Sequence, residues 1–395
     1  MREVKKINVS ILGSTGSVGA QSLEVMEKLR ENGGDYNVFA LCANKSVQIL
    51  ENQIRKFNPE FCAVFDKKSA SDLKIKAGDT RTKILEGMEA INFISSHQKT
   101  NCLINALMGQ IGIEPTLAAI KAKKSIGLAN KEPLVAAGEI LMSEVKKHGA
   151  KILPIDSEHN AICQCLAGEE KNEIDKLILT ASGGPFYGMD KKRLENVTVE
   201  EALRHPTWKM GKKITVDSAT MMNKGLELVE ACHLFGVSPD DIEILIHKES
   251  IIHSLVQFKD KSVKSQMGLP DIKMCIQYAL TCGNGGKREI GACKELDLSE
   301  IKNLSFSKPD NETFAFPELA RQAMKQAGTY PAAMNAANEA AVELFLEKKI
   351  GFLDIFELVR NSIDKHKNVQ NPDISDIIET AKETKKNISI DFSGG

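Results

Sequence analysis

The chain lacks three features that would each define a class of protein. Its 52 basic and 53 acidic side chains leave a net charge of −1, so charge gives no reason to expect binding to nucleic acid or to an anionic membrane. No apolar run reaches the roughly 18 residues that a membrane-spanning helix needs. The nine cysteines include no CxxC pair, which favours free thiols in a reducing compartment over disulfides or a zinc site.

The start of the sequence does not have the pattern of a signal peptide. MREVKKINVSILG is basic but passes directly into a predicted strand and glycine turn, without a long apolar region or a cleavage site. We therefore expect a cytoplasmic protein with neither a membrane nor a nucleic-acid partner.

Apolar segments alternate with amphipathic helices over residues 1–156. The predicted strands are INVSILG, YNVFALCA, FCAVF, NCLINAL, SIGLA and KILPI, and the predicted helices include SVGAQSLEVMEKL and VQILENQIRKF. Buried strands with helices between them indicate an α/β domain with a parallel, doubly wound sheet.

The pattern changes after residue 156. LILTASGGPF, KITVDSA, IEILIHKESIIHSLVQF and KSVKSQMGL are predicted strands of a mixed sheet with helices between some of them, which indicates an α+β domain over 157–281. Residues 282–311 are rich in glycine, lysine and asparagine and are predicted to be a linker. Residues 312–395 are predicted to form a small α-helical bundle.

GSTGSVG, residues 13–19, follows the first predicted strand and opens a helix. In that position a glycine-rich turn lets the backbone approach the phosphates of a dinucleotide, and the helix N-terminus favours negative charge. The spacing is GxxGxxG rather than GxGxxG, and a turn that merely joins strand to helix is the alternative. The location at the first strand–helix turn favours a cofactor site.

The end of the second predicted strand indicates which dinucleotide binds. An NAD site usually places Asp or Glu there to hold the ribose hydroxyls, whereas LCANKSV offers Asn44, Lys45 and Ser46. A cation and two neutral hydrogen-bonding side chains suit a 2′-phosphate. We therefore predict NADPH, with a solvated surface loop as the alternative.

Two carboxylates lie close together in PIDSEHN. If the strand continues to Glu158, the side chains of Asp156 and Glu158 point the same way, and they repel each other unless a positive charge lies between them. A third carboxylate, Glu227, lies in TVDSATMMNKGLELVEA, and three carboxylates suit Mg²⁺ or Mn²⁺. Each acid alone is more often a surface or capping group, so the prediction depends on the three meeting in space.

The segment that holds Glu227 also predicts a phosphate site. Ser218 is predicted to be the N-cap of a helix on which Asn223 lies one turn before Glu227. Together with Lys224, this helix start offers a hydroxyl, an amide, a cation and backbone N–H groups, all of which suit a phosphate.

Three further motifs are candidates for the site. TASGGPF, residues 180–186, predicts either a second oxyanion-binding turn or a plain β-turn. RHPTWKMGKK, residues 204–213, holds the single tryptophan in a polar segment that can act as a lid. LANKEPLV, residues 128–135, follows a predicted strand at the edge of the sheet where ligands bind. His253 is predicted to be structural, with no chemical role beyond positioning.

The motifs GSTGSVG, ANKE, PIDSEHNAI, TASGGPF, RHPTWKMG, VDSATMMNKGLE, SIIHS, GLPD and NAANE occur in this order along nearly the whole chain. In this combination the chain closely resembles the 1-deoxy-D-xylulose 5-phosphate reductoisomerase family. The resemblance implies a homodimeric enzyme of three domains, the first of them Rossmann-like. It implies the NADPH- and metal-dependent isomerisation and reduction of 1-deoxy-D-xylulose 5-phosphate to 2-C-methyl-D-erythritol 4-phosphate, in the non-mevalonate isoprenoid pathway.

The resemblance also implies a role for each site residue. One Mg²⁺ or Mn²⁺ would be held by Asp156, Glu158 and Glu227, which with Lys131 form the catalytic set. The phosphorylated substrate would be bound by Lys131, Ser157, Glu158, Ser182, His205, Trp208, Met210, Ser218, Asn223, Lys224 and Glu227, with Trp208 and Met210 closing over it. NADPH would be held by Thr15, Gly16, Ser17, Val18, Asn44, Lys45, Ser46, Asn130, Glu132 and Gly211.

The sequence departs from the family pattern at three places. DIKMCI, with Ile272, Lys273 and Cys275, follows GLPD where Met-Arg and a proline are expected. HKES stands where HPQS is familiar, and Pro133 follows ANKE where serine is common. None of these departures removes a predicted metal or phosphate ligand.

Two other functions are alternatives. An NADPH-dependent dehydrogenase of another phosphorylated substrate, such as a semialdehyde dehydrogenase, would need a nucleophilic cysteine motif, which the sequence lacks. A non-catalytic NADPH sensor would keep GSTGSVG but would have no reason to keep both the acids and the phosphate helix. Metal dependence of the activity distinguishes a reductoisomerase from both.

Overall fold

A computed structural model describes residues 6–170, 173–208 and 210–392. The chain forms two compact units. The first contains the residues up to Pro133 with 141–160 and 271–294, and the second contains 134–140, 161–270 and the residues from 295 onward. Across the described ranges, no helix combines the length and the apolar character that crossing a bilayer requires.

A sheet of seven parallel strands forms the centre of the first unit in the described part of the chain. The strands are β1 (Ile7–Leu12), β2 (Tyr36–Ala43), β3 (Phe61–Val64), β4 (Lys83–Glu86), β5 (Cys102–Asn105), β6 (Ser125–Leu128) and β7 (Lys151–Pro154). They lie in the order β4-β3-β2-β1-β5-β6-β7, and every neighbouring pair is parallel. The chain reverses direction across the sheet between β1 and β5, which is the switch point where ligands bind in such folds. The predicted doubly wound sheet is confirmed.

Seven α-helices connect or follow these strands in the described part of the chain, and the first five of them pack against strands of the sheet. They are α1 (Ser17–Glu31), α2 (Val47–Phe57), α3 (Lys67–Lys76), α4 (Gly87–Ser96), α5 (Ile113–Lys121), α6 (Glu132–His148) and α7 (Ser157–Cys165). On α1, Leu23, Met26 and Leu29 recur at helical spacing and are buried in a core that includes Val9 and Ile11 of β1. β4 has no predicted counterpart, because its four residues lie at the sheet edge and are partly exposed, without a long apolar run.

The second unit contains a mixed sheet. Its strands are β8 (Ile174–Ala181), β9 (Ile242–Ile246), β10 (Ile252–Phe258) and β11 (Val263–Met267), in the order β11-β10-β8-β9. β10 is antiparallel to β8 and β11, whereas β8 and β9 are parallel. The helices between these strands are α8 (Lys191–Leu194), α9 (Val199–Ala202), α10 (Lys212–Ala219) and α11 (Met222–Phe235). This confirms the predicted α+β character of the region.

Helix α12 (Lys273–Leu280) packs in the first unit, although it follows the mixed sheet in sequence. Cys275 is buried in the core of that unit, Ile272 packs against the same core, and Lys273 forms an ion pair with Glu24 of α1 at 2.6 Å. The three departures in the DIKMCI segment therefore have structural partners. The predicted central domain, residues 157–281, includes α12, whereas the structure groups α12 with the first unit.

Helices make up the C-terminal part of the second unit. They are α13 (Phe316–Gln326), α14 (Tyr330–Leu346), α15 (Asp354–Lys365) and α16 (Ile374–Phe392). α14 packs against the other three, and its buried alanines, such as Ala333, Ala337 and Ala341, let these helices approach closely. The predicted helical bundle is confirmed.

The prediction of a strand for KITVDSA is wrong, because these residues form α10. Thr215 Oγ donates to the carbonyl of Gly211 at 2.8 Å, and Lys213 forms an ion pair with Asp217 at 2.9 Å. Both contacts need the four-residue spacing of a helix, and they outweigh the strand preference of the β-branched residues. Ser218 lies inside α10 and is not an N-cap. α11 starts after Met221, whose φ is 65°.

The continuation of a strand to Glu158 is also wrong. β7 ends at Pro154, and the backbone N–H of Asn160 donates to the carbonyl of Asp156 at 2.9 Å, which begins α7. Glu158 lies in the first turn of that helix. Asp156 and Glu158 therefore flank a helix start instead of alternating along a strand.

Candidate functional site

The loop after β1 carries the predicted dinucleotide residues Thr15, Gly16 and Ser17. Gly16 is the N-cap of α1, and in this fully described helix no side chain caps the start and no acid lies in the first turn. The backbone N–H groups of the first turn and the helix dipole favour an anion there. The loop therefore fits the diphosphate of a dinucleotide.

Gly13 holds this loop close to the segment that follows β5. Its φ is 75°, and a Cβ at this position would lie 2.6 Å from the carbonyl oxygen of Ala106, so only glycine fits. Gly16 and Ser17 are exposed, whereas Val18 packs against the core of the first unit. The loop is therefore held in place at Gly13 and at Val18, and Gly16 and Ser17 between them are accessible to a ligand.

The turn after β2 carries the residues predicted to select NADPH. Asn44 and Lys45 are exposed, and Ser46 is the N-cap of α2. In α2, which the structure describes completely, no acid lies in the first turn and no side chain caps the start. A cation, an amide and a hydroxyl thus surround a helix start, as a 2′-phosphate would require.

Lys131 and Asp156 lie together where β6 and β7 end. Lys131 Nζ is 3.1 Å from Asp156 Oδ2, and both side chains are largely buried. The preceding residue, Asn130, donates its amide to the carbonyl of Leu107 at 2.6 Å and so joins the ends of β5 and β6. Glu132 is buried as well. Two members of the predicted catalytic set are therefore neighbours within one unit.

Asp156 also faces the buried imidazole of His159, whose Nδ1 is 3.4 Å from Oδ2. Ser157 Oγ donates to Glu158 Oε2 at 2.6 Å. Asp156 and Glu158 thus present carboxylate oxygens that have cationic or hydroxyl neighbours. Oxygen donors of this kind suit a hard divalent cation.

In the second unit, His205 joins two of the predicted phosphate ligands. Its Nε2 lies 3.1 Å from Ser182 Oγ and 3.1 Å from Ser218 Oγ. Its Nδ1 accepts the backbone N–H groups of Thr207 at 3.1 Å and Trp208 at 2.9 Å, so in the neutral ring Nε2 carries the proton. Burial lowers the pKa of His205, which favours this neutral form. A ring N–H and two hydroxyls converge, and each can donate to a phosphate oxygen.

Gly184 lets the turn after β8 approach α10. Its φ is 69°, and a Cβ there would lie 2.6 Å from the carbonyl oxygen of Ser218. The N–H of Gly184 donates to Ser182 Oγ at 3.3 Å. The glycine is therefore required by the contact that brings Ser182 and Ser218 to the same histidine.

Lys224 and Glu227 are buried side by side on α11 and form an ion pair. Lys224 Nζ also donates to the carbonyl of Thr180 at 2.6 Å, at the end of β8. Asn223 Nδ2 donates to Glu227 Oε1 at 2.5 Å, across the one-turn spacing that the sequence predicts. The Glu227 carboxylate is thus held by a cation and an amide.

The remaining predicted residues lie between α9 and α10. Trp208 is half-buried with its ring centroid 6.3 Å from that of His253, Met210 is half-buried, and Gly211 is the N-cap of α10.

The predicted site residues fall into two groups. The first unit holds Thr15, Gly16, Ser17, Val18, Asn44, Lys45, Ser46, Asn130, Lys131, Glu132, Asp156, Ser157 and Glu158, and the second holds Ser182, His205, Trp208, Met210, Gly211, Ser218, Asn223, Lys224 and Glu227.

Two buried residues beside the phosphate ligands are absent from the predicted set. Asp217, next to Ser218, accepts a hydrogen bond from Asn338 Nδ2 at 2.8 Å. Asn338 belongs to the NAANE motif. The signal in the sequence is that two asparagines lie among the alanines of a helix, which indicates buried polar contacts. The spacing along the sequence gives no partner for them.

Family models cover most of the chain. The model described as 1-deoxy-D-xylulose 5-phosphate reductoisomerase matches residues 9–138, and two models of C-terminal domains of that enzyme match 152–235 and 267–387. The reductoisomerase of Acetivibrio thermocellus is 48% identical over 371 residues, which cover 94% of this chain and 95% of that protein. The reductoisomerase of Clostridium tetani is 47% identical over 95% of this chain and 97% of that protein.

Solved structures of the same enzyme also match. The Zymomonas mobilis reductoisomerase in complex with NADPH has a TM-score of 0.91 and 36% identity, and the match covers 99% of this chain and 100% of that one. A reductoisomerase in complex with NADPH, fosmidomycin and magnesium has a TM-score of 0.91 and 38% identity over 98% of both chains. With matches at this identity along nearly its full length, the chain belongs to the 1-deoxy-D-xylulose 5-phosphate reductoisomerase family.

Proposed function

We propose that the protein converts 1-deoxy-D-xylulose 5-phosphate to 2-C-methyl-D-erythritol 4-phosphate with NADPH and Mg²⁺ or Mn²⁺, in the non-mevalonate isoprenoid pathway. The observation that carries this proposal is the convergence of Ser182 and Ser218 on the neutral ring of His205. A family member that binds a phosphorylated substrate needs such a set of donors, and a simple sensor of NADPH does not.

We propose Asp156, Glu158 and Glu227 as the ligands of the divalent cation. All three offer carboxylate oxygens, and within their own units Asp156 and Glu227 each already lie beside an ammonium group, that of Lys131 and that of Lys224. The donor set therefore fits Mg²⁺ or Mn²⁺. When bound, the cation supplies Lewis-acid polarisation of the substrate oxygens.

The residues of the phosphate group act by binding and orientation. Ser182, Ser218 and the Nε2–H of His205 would donate to phosphate oxygens, with Asn223 and Lys224 adding an amide and a cation. Phosphate binding away from the breaking bond holds the substrate in position, which lowers the entropy cost of reaction. Lys131 and Ser157 would donate hydrogen bonds to substrate oxygens, and Trp208 with Met210 would exclude water.

The NADPH residues divide by the part of the cofactor that they fit. Thr15, Gly16, Ser17 and Val18 would hold the diphosphate, and Asn44, Lys45 and Ser46 the 2′-phosphate, with Asn130, Glu132 and Gly211 completing the cofactor site. When bound, NADPH supplies the hydride that reduces the rearranged substrate.

We also propose a cytoplasmic homodimer. Support for the dimer comes from the family resemblance and from β11, an edge strand that pairs within the chain only with β10 among the described strands. Support for the cytoplasm comes from the nine cysteines, none of which forms a disulfide in the described part of the chain. Light scattering after gel filtration would test the dimer, since a monomeric mass would contradict it.

The proposed function is tested by following NADPH oxidation with 1-deoxy-D-xylulose 5-phosphate and Mg²⁺ or Mn²⁺. We expect turnover that EDTA abolishes and that Glu227→Gln removes, whereas Glu318→Gln, an exposed residue on α13, leaves it intact. No turnover in a folded wild type that binds NADPH would contradict the proposal. It would favour a dehydrogenase with another substrate, or a sensor.

A further inference from the structure

Gln53 is a polar residue on the buried face of α2. The residues that this helix buries are Leu50, Gln53 and Ile54, and the first and third belong to the apolar core. An amide in this position costs stability unless both its donor and its acceptor are satisfied. Its partners therefore indicate why it is there.

Both hydrogen bonds of the Gln53 amide go to a single residue, Ser14. Gln53 Nε2 donates to the carbonyl of Ser14 at 2.8 Å, and Ser14 Oγ donates to Gln53 Oε1 at 2.8 Å. Ser14 is fully buried, and its backbone N–H donates to the carbonyl of Cys42 at 2.8 Å. Ser14 is thus fixed from two sides by the segment that runs from β2 into α2.

This arrangement links two parts of the proposed cofactor site. Ser14 immediately precedes Thr15 and Gly16 in the loop that fits the diphosphate. Cys42 and Gln53 lie on either side of the turn at 44–46, which fits the 2′-phosphate. The Ser14–Gln53 pair therefore sets the spacing between the two anion sites.

We propose that Gln53 is a positioning residue that determines the preference for NADPH over NADH, an inference that rests on the proposed 2′-phosphate role of Asn44, Lys45 and Ser46. NADPH would bind to both anion sites at once, so its affinity depends on the spacing between them. NADH lacks the 2′-phosphate, so of the two anion sites it uses only the diphosphate loop and is less sensitive to where the turn at 44–46 lies. Gln53 touches neither cofactor and acts through Ser14.

The test compares the dissociation constants of NADPH and NADH for the full-length protein without substrate, measured by nicotinamide fluorescence. Gln53→Met keeps the side-chain length and removes both hydrogen bonds. We expect it to weaken NADPH binding about tenfold and NADH binding less than about threefold. Ile54→Val, a change on the same buried face, is the control for general loss of stability and should leave the ratio of the two constants unchanged. An equal change for both cofactors, or none, would overturn the role of Gln53.

Two further variants keep the inference testable. Ser14→Ala removes only the hydrogen bond from the Ser14 hydroxyl to Gln53. It should shift the ratio of the two dissociation constants in the same direction as Gln53→Met, but by less. If Gln53→Met does not fold, this variant is the test of the Ser14–Gln53 pair. Lys45→Ala tests the 2′-phosphate site itself. A lost preference in Lys45→Ala with an unchanged ratio in Gln53→Met overturns the role of Gln53 alone. An unchanged ratio in both overturns the proposed 2′-phosphate site as well.

Discussion

Asn338 Nδ2 donates to Asp217 Oδ1 at 2.8 Å, which joins the centre of the C-terminal helices to α10. Both residues are buried, and Asp217 also forms an ion pair with Lys213 at 2.9 Å. Asp217 directly precedes Ser218, one of the two hydroxyls beside His205. Through this contact α14 helps to fix where Ser218 lies.

Asn338→Ala should therefore lower both stability and substrate affinity. Loss of the Asn338 amide leaves the buried carboxylate of Asp217 with one fewer hydrogen-bond donor, which lowers the free energy of unfolding by about 1–3 kcal/mol. Asn338→Asp should cost more, because it places a second carboxylate against the first. Urea unfolding measures the stability and steady-state kinetics the KM. Equal stability of the alanine variant and the wild type would contradict the prediction.

Gly184→Ala should impair the enzyme more than Gly188→Ala does. Both glycines have a left-handed φ, so both substitutions carry backbone strain of about 1–2 kcal/mol. Only the Cβ at position 184 would meet the carbonyl oxygen of Ser218, at 2.6 Å, whereas nothing lies within 4 Å of a Cβ at position 188. We expect a raised KM for the substrate in Gly184→Ala alone. Equal KM values in the two variants would show that the contact with Ser218 is unimportant.

Two substitutions of His205 should separate the roles of its nitrogens. His205→Asn keeps an acceptor near Nδ1 for the N–H groups of Thr207 and Trp208 and loses the donor near Nε2. It should raise the KM about tenfold with the segment still ordered. His205→Gln keeps the distant donor and loses the acceptor, so residues 205–208 should become more sensitive to proteolysis. Identical behaviour of the two variants would contradict this division.

His233 should make the protein less stable in mild acid. Its ring packs against Gly138, where a Cβ would lie 2.3 Å from a ring carbon, and burial lowers its pKa to about 4. In the unfolded chain the pKa is about 6.5. The unfolded state therefore binds more protons between these values, and the free energy of unfolding falls as the pH drops through about 6.5 towards about 4, by on the order of 3 kcal/mol.

His233→Leu removes this titration and should flatten that part of the pH dependence. The measurement is urea unfolding of both proteins from about pH 7 to about pH 4 at constant ionic strength. The control is Leu228→Val, a buried residue of the same helix, which removes no titratable group and should leave the slope unchanged. Parallel curves for the wild type and His233→Leu would refute the assignment to His233.

Local patterns in the sequence were sufficient for much of this protein. The alternation of strands and helices predicts the doubly wound sheet, since periodicity reports which face of an element is buried. GSTGSVG predicts the glycine-rich loop after β1, because the strand before it and the helix after it are both visible in the neighbouring sequence. The spacing of Asn223 and Glu227 predicts their hydrogen bond, because helix geometry fixes contacts four residues apart.

Tertiary contacts decided the rest, because they join residues that sequence spacing does not relate. KITVDSA has the composition of a strand, yet its residues form α10, which packs against α11 and α14. α12 follows the mixed sheet but is buried in the other unit, where its apolar side chains find a core. The hydrogen bonds of Gln53 with Ser14, like that of Asn338 with Asp217, exist only once the folded chain brings a buried amide beside a partner that is distant in the sequence.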